Sequence, residues 1–419
     1  MIQVLSRSWA LLLGVFMLMI GNGLQGTLLG LRGEMEGFST FEMSVVMSAY
    51  FLGFLFASRA VPELIRRVGH IRVFAALGST ISAILILYPA LTEPWAWVLG
   101  RLLIGFCFCG VYVTAESWLN DGTDNENRGK ALSLYMIVQM GGIVLAQYIV
   151  LLGDIGGFVL FIIPSVLVSM SFAPILLSVR PTPAFETTKP LSIRRLIEVS
   201  PLACMGMFLL GGVFAAQFGM AAVFGTRAGL TVPQISLMIS SVYVAALFLQ
   251  YPIGWISDRM DRRVLIAVLS LIGGIGAFLS VVNGSFVMLL ISSTLVGGTA
   301  NPLYALLLAY ANDFLDRSDM AGASGGFLFI NGLGAISGPL IVGWAMDTVG
   351  AQGYWSYMGI LMIGLSIYAF WRMTRRSSTI SVEDTSQYAP IMPSATPVAL
   401  EVAQEVYLDA DQNAEEAQS

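Results

Sequence analysis

The chain has 419 residues, of which 56% are hydrophobic and 11% are charged, and its mean hydropathy is +0.79. A soluble domain carries about 25% charged residues, so this composition excludes a water-soluble globule and indicates that a lipid bilayer surrounds most of the chain. The net charge of −5 arises from acids after Arg376. The sequence has no stripe of basic residues, so we do not expect a nucleic-acid partner. Cys107, Cys109 and Cys204 lie in apolar runs without zinc or disulfide spacing, so we expect neither a metal nor a cofactor.

Apolar runs follow one another along the chain, and twelve of them are long enough to cross the ~30 Å hydrocarbon core as helices. The first run follows Arg7 and exceeds the core of a cleaved signal peptide, so we expect it to remain as a span. The runs are too long and too evenly apolar for barrel strands, so the predicted fold is all-α. Their predicted bounds are 8–31, 42–61, 72–90, 95–118, 131–152, 156–178, 201–224, 234–256, 263–282, 286–311, 321–345 and 353–373.

Two polar segments divide this series. A segment with prolines and basic residues separates the sixth run from the seventh, and an acidic segment follows the twelfth. Because the acidic segment combines Pro, Ser and Thr without periodicity, we expect it to be disordered. The predicted domains are an N-terminal six-helix bundle at 1–180, a cytoplasmic linker at 181–199, a C-terminal six-helix bundle at 200–376 and a disordered cytoplasmic tail at 377–419.

The basic residues predict the orientation in the membrane. With Arg7 inside, alternate loops place most of the 21 Lys and Arg residues on the cytoplasmic side. We therefore expect a multi-pass monomer in the cytoplasmic (inner) membrane, with the bilayer as its surroundings and both termini in the cytoplasm.

One spacing, 192 residues, recurs between polar positions of the two halves. It separates Gln25 from Gln217 and Gly105 from Gly297, and it indicates an internal repeat. In a membrane protein, such a repeat is typical of a transporter whose substrate site lies between the copies. The same interval relates Arg67 to Arg259, Tyr112 to Tyr304, Asn120-Asp121 to Asn312-Asp313, Gln139 to Asn331 and Gly142 to Gly334.

The loop between the eighth and ninth runs reads GWISDRMDRR. A small residue at Gly254 allows two helices to approach closely, and Asp258 can pair with an arginine or a helix N-terminus. We predict a gate that locks the cytoplasmic helix ends in one conformation. Its predicted residues are Arg67, Gly69, Gly254, Asp258, Arg259, Arg262 and Arg263.

This loop closely resembles the cytoplasmic signature of the major facilitator superfamily, and twelve spans with a two-fold repeat agree with it over residues 1–376. The first-half loop PELIRRVGHIR departs from the signature, with Pro62 in place of glycine and Arg66 in place of the acid. Together with ESWLND at 116–121, the loop is similar to the YcaD-type branch of the superfamily. The resemblance implies two pseudo-symmetric six-helix bundles around a central cavity.

Two charged residues lie inside the fourth run. The string RLLIGFCFCG, which begins at Arg101, resembles the superfamily's fourth-helix motif, and this resemblance implies a role for Arg101 in proton coupling. The alternative is a structural arginine that is hydrogen-bonded to helix carbonyls. Glu116 is the only acid well inside a predicted run, so it is the candidate proton-binding carboxylate. Glu116 lies near the predicted cytoplasmic end of the fourth run. Its position therefore agrees equally well with a second role, in which Glu116 is a hydrated gate residue that pairs with a loop arginine.

Amides and phenols inside the runs are candidates for the central cavity, since they would lose hydrogen bonds if they faced lipid. Interhelical hydrogen bonding is the alternative to solute contact at each position. The candidates are Gln25, Gln217, Tyr112, Tyr304, Gln139, Asn331, Asn22, Tyr243 and Asn301.

These features predict a secondary transporter of a small organic solute, with a proton as the expected coupling partner. An uncoupled facilitator and a non-transporting sensor that signals through the acidic tail are the alternatives. A hydrolase is not expected, because the Gly-x-Ser-x-Gly string at 322–326 follows no strand and His70 is the only histidine.

Overall fold

The computed structural model describes residues 2–121, 123, 127–176, 191–315, 317–375 and 388–404. These residues form helices and connecting turns, without a strand in the described part of the chain. The helices are α1 Ile2–Met35, α2 Thr40–Val68, α3 His70–Leu87, α4 Pro94–Asp121, α5 Arg128–Ile149, α6 Val159–Leu176, α7 Ile193–Val199, α8 Pro201–Ala215, α9 Ala221–Arg227, α10 Val232–Ser257, α11 Arg262–Val282, α12 Phe286–Asn312, α13 Arg317–Val349 and α14 Gly353–Arg375.

Every predicted span corresponds to helix, so the all-α expectation is confirmed. Among the described residues, 11 helical segments are long and apolar enough to cross a membrane, and α6 adds the shorter apolar stretch Val159–Pro174. A helix satisfies its backbone hydrogen bonds internally, which is the requirement that lipid imposes. The seventh span is composite, because a π-helical turn at Ala216–Met220 joins α8 to α9.

The two halves repeat one packing pattern. In the first half α1 packs against α5 and α6, α2 against α4, and α3 against α4 and α6. In the second half α8 packs against α13 and α14, α10 against α12, and α11 against α12 and α14. The order of the partners is the same in both halves, so each half is one copy of the same six-helix arrangement.

Glycines at repeat-related positions make the same close contacts in each copy. A Cβ atom at Gly105 would meet the backbone of Tyr50, and a Cβ atom at Gly297 would meet the backbone of Val242, so only glycine lets these helices approach so closely. Tyr50 and Val242 are themselves 192 residues apart. The same interval relates the contact of Gly142 with Phe16 to that of Gly334 with Phe208.

The two bundles meet where α2 packs against α13 and where α5 packs against α10. These two contacts are equivalent, because α2 corresponds to α10 and α5 corresponds to α13 in the repeat. We call the membrane side that carries α7 the linker face and the opposite side the far face. At the far face α2 and α13 are in direct contact, and the Ser48 hydroxyl donates to the Ile336 carbonyl at 2.5 Å. Arg227 Nη1 lies 2.7 Å from Asp347 Oδ1 and also contacts Thr40 of α2. The far face is therefore closed.

The expectation of a disordered tail is wrong for residues 388–404. This segment lies between the bundles at the linker face, and residues 397–404 are helical. The physical reason is that the segment is apolar, so burial stabilises it. Its buried apolar residues are Ala389, Ile391, Met392, Ala395, Ala399, Leu400, Val402 and Ala403. The rest of the predicted tail and linker residues 181–190 lie outside the described residues.

Candidate solute cavity and linker-face gate

A cavity lies between the two bundles, midway along the spans. Asn22 of α1 and Asn331 of α13 lie on its wall. About 30 Å³ of free space remains, which is room for no more than one or two water molecules. The tail closes the cavity towards the linker face with Met392, Pro393 and Ser394.

A hydrogen-bonded chain of first-half residues holds the Asn22 amide. Gln25 Nε2 donates to Asn22 Oδ1 at 2.9 Å, and Asn22 Nδ2 donates to the hydroxyls of Tyr112 at 2.7 Å and Tyr50 at 3.3 Å. The structure thus brings together three predicted cavity residues, and it adds Tyr50, which the sequence did not single out. Because these hydrogen bonds already fix the Asn22 side chain, binding of a solute would cost little additional side-chain entropy.

The corresponding polar side chains of the second half make fewer hydrogen bonds. Asn331 Nδ2 donates to the Met207 carbonyl and Asn301 Nδ2 to the Gly297 carbonyl, each at 3.1 Å. Gln217 Nε2, Asn301 Oδ1 and Tyr304 OH are buried and make no hydrogen bond to a described residue. Buried polar atoms normally have a partner, so these atoms are available to water or to a solute. Gln217 lies in the π-helical turn, a feature that is frequent at functional sites.

Only part of the predicted cavity set reaches the wall. Asn22 and Asn331 line the cavity, whereas the other seven candidates are buried without forming its described wall. Gln139 keeps its Nε2 unpartnered among the described residues, and Tyr243 is buried in α10.

Five aromatic residues, all from α2 and the seventh span, also line the cavity. The rings of Tyr50 and Phe218 lie 5.4 Å apart between centroids, and those of Phe51 and Phe214 lie 6.1 Å apart, so each pair joins α2 to the seventh span. Phe54 completes this group. Aromatic residues are common throughout the spans, so the sequence carried no signal that distinguished these rings.

Arg101 is fully buried in the far-face third of α4. Its guanidinium lies 4.7 Å from the ring centroid of Tyr50, and Nη2 contacts the Met47 sulfur at 3.5 Å. Nε and Nη1 make no hydrogen bond to a described residue. Arg101 and Glu116 are separated by ~22 Å along one helix, at 1.5 Å per residue, so the two predicted coupling residues are not in contact.

Glu116 is buried near the linker-face end of α4. It accepts hydrogen bonds from the Tyr135 hydroxyl at 3.3 Å and from the tail, where Thr396 N and Ala399 N lie 3.3 Å away and the Thr396 hydroxyl is closer. The described partners of Glu116 are therefore hydroxyl and amide groups rather than a loop arginine. The carboxylate caps the N-terminal end of the tail helix, where a negative charge is favourable.

Arg262 is the centre of the predicted gate. It is buried, and its Nη1 lies 2.6 Å from Asp313 Oδ1 while its Nη2 lies 3.5 Å from Asp258 Oδ1. Nη1 also donates to the Ala309 carbonyl at 3.2 Å. These contacts join the ends of α10 and α12 to the start of α11 within the second bundle. Asp313 was visible in the sequence only as half of a repeat-related pair.

The acids of this gate differ in their environment. Burial raises the pKa of Asp258 above its usual range, although the Tyr388 N–H and the Arg262 charge act in the opposite direction. Burial also acts to raise the pKa of Asp261, but hydrogen bonds from Arg263 outweigh it and lower that pKa. Asp258 is the gate acid that the tail contacts, because Tyr388 N donates to its Oδ1 at 2.9 Å.

The remaining gate residues pair locally. Arg259 stacks on the Trp255 ring at 4.2 Å from its centroid, and Arg67 lies 2.7 Å from Glu63. Gly69 joins α2 to α3 with a φ of 86°, a conformation that favours glycine. In this conformation Gly254 faces the tail rather than a second helix, because a Cβ atom there would meet the Tyr388 ring at 2.5 Å.

Two repeat-related six-helix bundles around a central cavity define a multi-pass membrane protein with the architecture of a transporter. The chain belongs to the Major Facilitator Superfamily, whose family model matches residues 11–230 and 202–400. This match confirms the predicted superfamily.

Curated relatives confirm the narrower resemblance. The chain is 22% identical over 372 residues to the uncharacterized MFS-type transporter YcaD of Salmonella arizonae, covering 88% of this chain and 95% of that protein. It is 26% identical over 330 residues to the uncharacterized MFS-type transporter YfkF of Bacillus subtilis, covering 75% and 82%.

Solved structures share the fold. A point mutant of the nucleoside transporter NupG aligns with a TM-score of 0.75 and 16% identity, over 87% of this chain and 99% of that chain. A point mutant of the E. coli fucose:proton symporter FucP aligns with a TM-score of 0.57 and 15% identity, over 87% and 98%. At these identities the likeness concerns the fold alone.

Proposed function

We propose that the chain is a secondary transporter that carries a small uncharged organic solute across the cytoplasmic membrane by alternating access. The observation that carries this proposal is the cavity midway between two repeat-related bundles, with a closed far face and a wall that includes Asn22 and Asn331. Rocking of such bundles about a central site is the mechanism that this architecture supports.

The cavity wall favours an uncharged solute with a flat apolar face. None of the described residues on the wall carries a charge, so an ion would lose its hydration without compensation. Amides supply donors and acceptors, and aromatic rings such as Phe214 and Phe218 offer faces for stacking. The substrates of the two structural neighbours, a nucleoside and fucose, are both uncharged, which supports this class.

The orientation proposed from the sequence assigns the linker face to the cytoplasm. Most basic residues of the chain belong to helix ends and connections on this side, as the positive-inside rule predicts for a cytoplasmic face. Both termini are then cytoplasmic, and the cavity is closed towards the exterior.

We retain proton coupling as part of the proposal, with Glu116 as the proton-binding residue. Glu116 is the only Asp or Glu that is fully buried within the described spans. Arg101 is the second proposed coupling residue, and it would act through the cavity wall because it lies against Tyr50. Uncoupled facilitation is the alternative if Glu116 only holds the tail.

Uptake into proteoliposomes tests the proposal. The chain ending at Gln387, whose cavity is free of the tail, should accumulate at least one of uridine, adenosine and L-fucose, and a protonophore should abolish accumulation above equilibrium. Glu116→Gln should retain equilibration but lose accumulation. Accumulation that is unchanged in Glu116→Gln would remove Glu116 from coupling, and equilibration without accumulation in the parent chain would identify a facilitator.

The position of the tail also fits a second candidate, a membrane sensor in which a solute displaces residues 388–404 from the cavity. A sensor would bind the solute without moving it. Solute binding to the purified chain together with the absence of uptake in proteoliposomes would favour the sensor.

A further inference from the structure

We propose that residues 388–404, here called the plug, are an intramolecular inhibitor that occupies the linker-face opening of the cavity and must leave before a solute can be transported. This inference rests on the proposed transport function, and it goes beyond that function by assigning a role to the tail. Three features carry it: the plug is anchored to both bundles, it fills the solute space, and its sequence suits reversible docking.

The first anchor is on the N-terminal bundle. Glu116 of α4 accepts hydrogen bonds from Thr396 N, the Thr396 hydroxyl and Ala399 N, all through one carboxylate oxygen. Because every one of these donors belongs to the plug and the acceptor is buried, loss of the plug would leave this carboxylate with Tyr135 as its described partner.

The second anchor is on the C-terminal bundle. Tyr388 N donates to Asp258, and the Tyr388 hydroxyl donates to the Pro302 carbonyl at 3.3 Å, while its ring fills the space that Gly254 leaves open. At the other end of the plug, Gln404 Nε2 donates to Asn312 Oδ1 at 3.1 Å. Gln404 Oε1 accepts a hydrogen bond from the Ser324 hydroxyl at 2.9 Å.

The middle of the plug fills the solute space. Met392, Pro393 and Ser394 share the cavity wall with Asn22 and Asn331, and about 30 Å³ remains between them. A solute of drug or metabolite size needs roughly 300 Å³ or more. The plug and a solute therefore exclude each other.

The same position blocks the conformational change. Alternating access requires the linker-face ends of the two bundles to approach each other. The plug lies between Glu116 in one bundle and Asn312 in the other, bonded to both. It acts as a wedge that keeps the linker face from closing.

The sequence of the plug suits a docking element rather than a permanent part of the core. Its apolar segment contains a single charged residue, Glu401, and acids flank it on both sides, at Glu383-Asp384 and after Gln404. Twelve residues, 376–387, separate the plug from α14 in the sequence, so the plug is covalently linked to its docking site and meets it at a high effective concentration. Modest intrinsic affinity is then sufficient for occupancy, and competition or a change at Glu116 can release it.

Peptide binding tests the plug without any need for transport. A fluorescein-labelled peptide of residues 388–404 should bind saturably to the purified chain ending at Gln387, and a scrambled peptide of the same composition should not. Glu116→Gln in that chain should weaken binding about tenfold, because the charged acceptor is lost. The full chain should bind the peptide at least ~10-fold more weakly, since its own plug competes. Equal binding of the scrambled peptide, or equal binding to the full chain, would overturn the proposal.

Transport tests the consequence. The initial uptake rate of the chain ending at Gln387 should exceed that of the full chain several-fold, whereas the chain ending at Gln404, which retains the plug, should match the full chain. A folded chain ending at Gln387 with an equal or lower rate contradicts inhibition. If that truncation does not fold, Leu400→Asp in the full chain should expel the plug and raise the initial uptake rate. Unfolding of this second variant as well would show that residues 388–404 are a structural part of the fold, and it would overturn the proposal.

The two tests separate the two proposals. Peptide binding as expected, with no uptake by any variant, would refute transport and with it the inhibition of transport, and would leave only the docking of residues 388–404 supported. Uptake at one rate by all variants, with no peptide binding, would refute the plug and leave transport intact.

Discussion

Thr396 in the C-terminal tail donates hydrogen bonds to Glu116 of α4, a residue 280 positions earlier in the chain. The contact anchors the segment whose residues Met392, Pro393 and Ser394 form part of the cavity wall. It also occupies Glu116, the only Asp or Glu that is buried within the described spans and the proposed proton-binding residue. Holding the tail and exchanging a proton with solvent therefore belong to different conformations.

Gly254→Ala should weaken the docking of the plug, because a Cβ atom there would meet the Tyr388 ring at 2.5 Å. Overpacking of this kind costs about 1–3 kcal/mol, which corresponds to an increase of roughly 5-fold to 160-fold in the dissociation constant of the 388–404 peptide. The matched control is the same peptide with Tyr388→Ala, which should bind the parent chain and its Gly254→Ala variant equally. A loss of similar size for the control peptide would show that the substitution perturbs α10 instead.

Asp313→Asn should destabilise the protein strongly, since it leaves the buried guanidinium of Arg262 without its nearest counter-charge. Breaking a buried ion pair costs about 3–5 kcal/mol, so the midpoint of thermal unfolding should fall by several degrees. The pair of Arg263 with Asp261 is more exposed, and Arg263→Ala should shift the midpoint much less. Equal shifts for the two variants would mean that the Arg262 cluster is not a structural centre.

Gly105→Ala and Gly297→Ala should destabilise the protein to similar extents, because each Cβ atom would meet the backbone of the neighbouring helix. The expected cost is about 1–3 kcal/mol or more for each. Gly364→Ala is the control: a Cβ atom in this α14 position meets nothing within 4 Å, so alanine should stabilise the helix by up to about 1 kcal/mol. Chemical or thermal unfolding of the three variants measures the difference, and a neutral Gly297→Ala would argue against equivalent packing of the two halves.

Substitution of the wall amides should impair transport without unfolding the protein. Asn22→Ala and Asn331→Ala should each reduce the initial uptake rate at low solute concentration about tenfold or more, because each removes a buried hydrogen-bonding group from the cavity. Gln352→Ala, which changes an exposed amide, should leave uptake unchanged. Wild-type uptake by both wall variants would place the solute elsewhere.

The sequence was sufficient for the helices and their repeat. Apolar runs longer than the bilayer thickness can satisfy their backbone only as helices, and the interval between Gln25 and Gln217 reappears in the contacts of Gly105 and Gly297. The wall of the cavity was less accessible to prediction. A pattern of polar residues indicates that Gln139 and Tyr243 avoid lipid, but helix rotation decides that Asn22 and Asn331 reach the cavity.

The plug was missed because composition was averaged over the whole tail. The acids that indicate disorder lie mainly outside residues 388–404, and the segment between them is apolar. A narrower window would have marked it as a segment that needs burial, although not where it docks. Asp313 was missed for another reason, because its partner Arg262 becomes adjacent only when α11 packs against α12.

Initial-rate uptake into proteoliposomes by the chain ending at Gln387, compared with its Asn22→Ala/Asn331→Ala variant, tests the central claim that a solute crosses through the cavity between the two bundles. The panel is uridine, adenosine, L-fucose, L-glutamate and L-lysine. We expect time-dependent uptake of at least one of the three uncharged compounds, lost in the double variant. Uptake of only the charged compounds, or equal uptake by the double variant, would contradict the account.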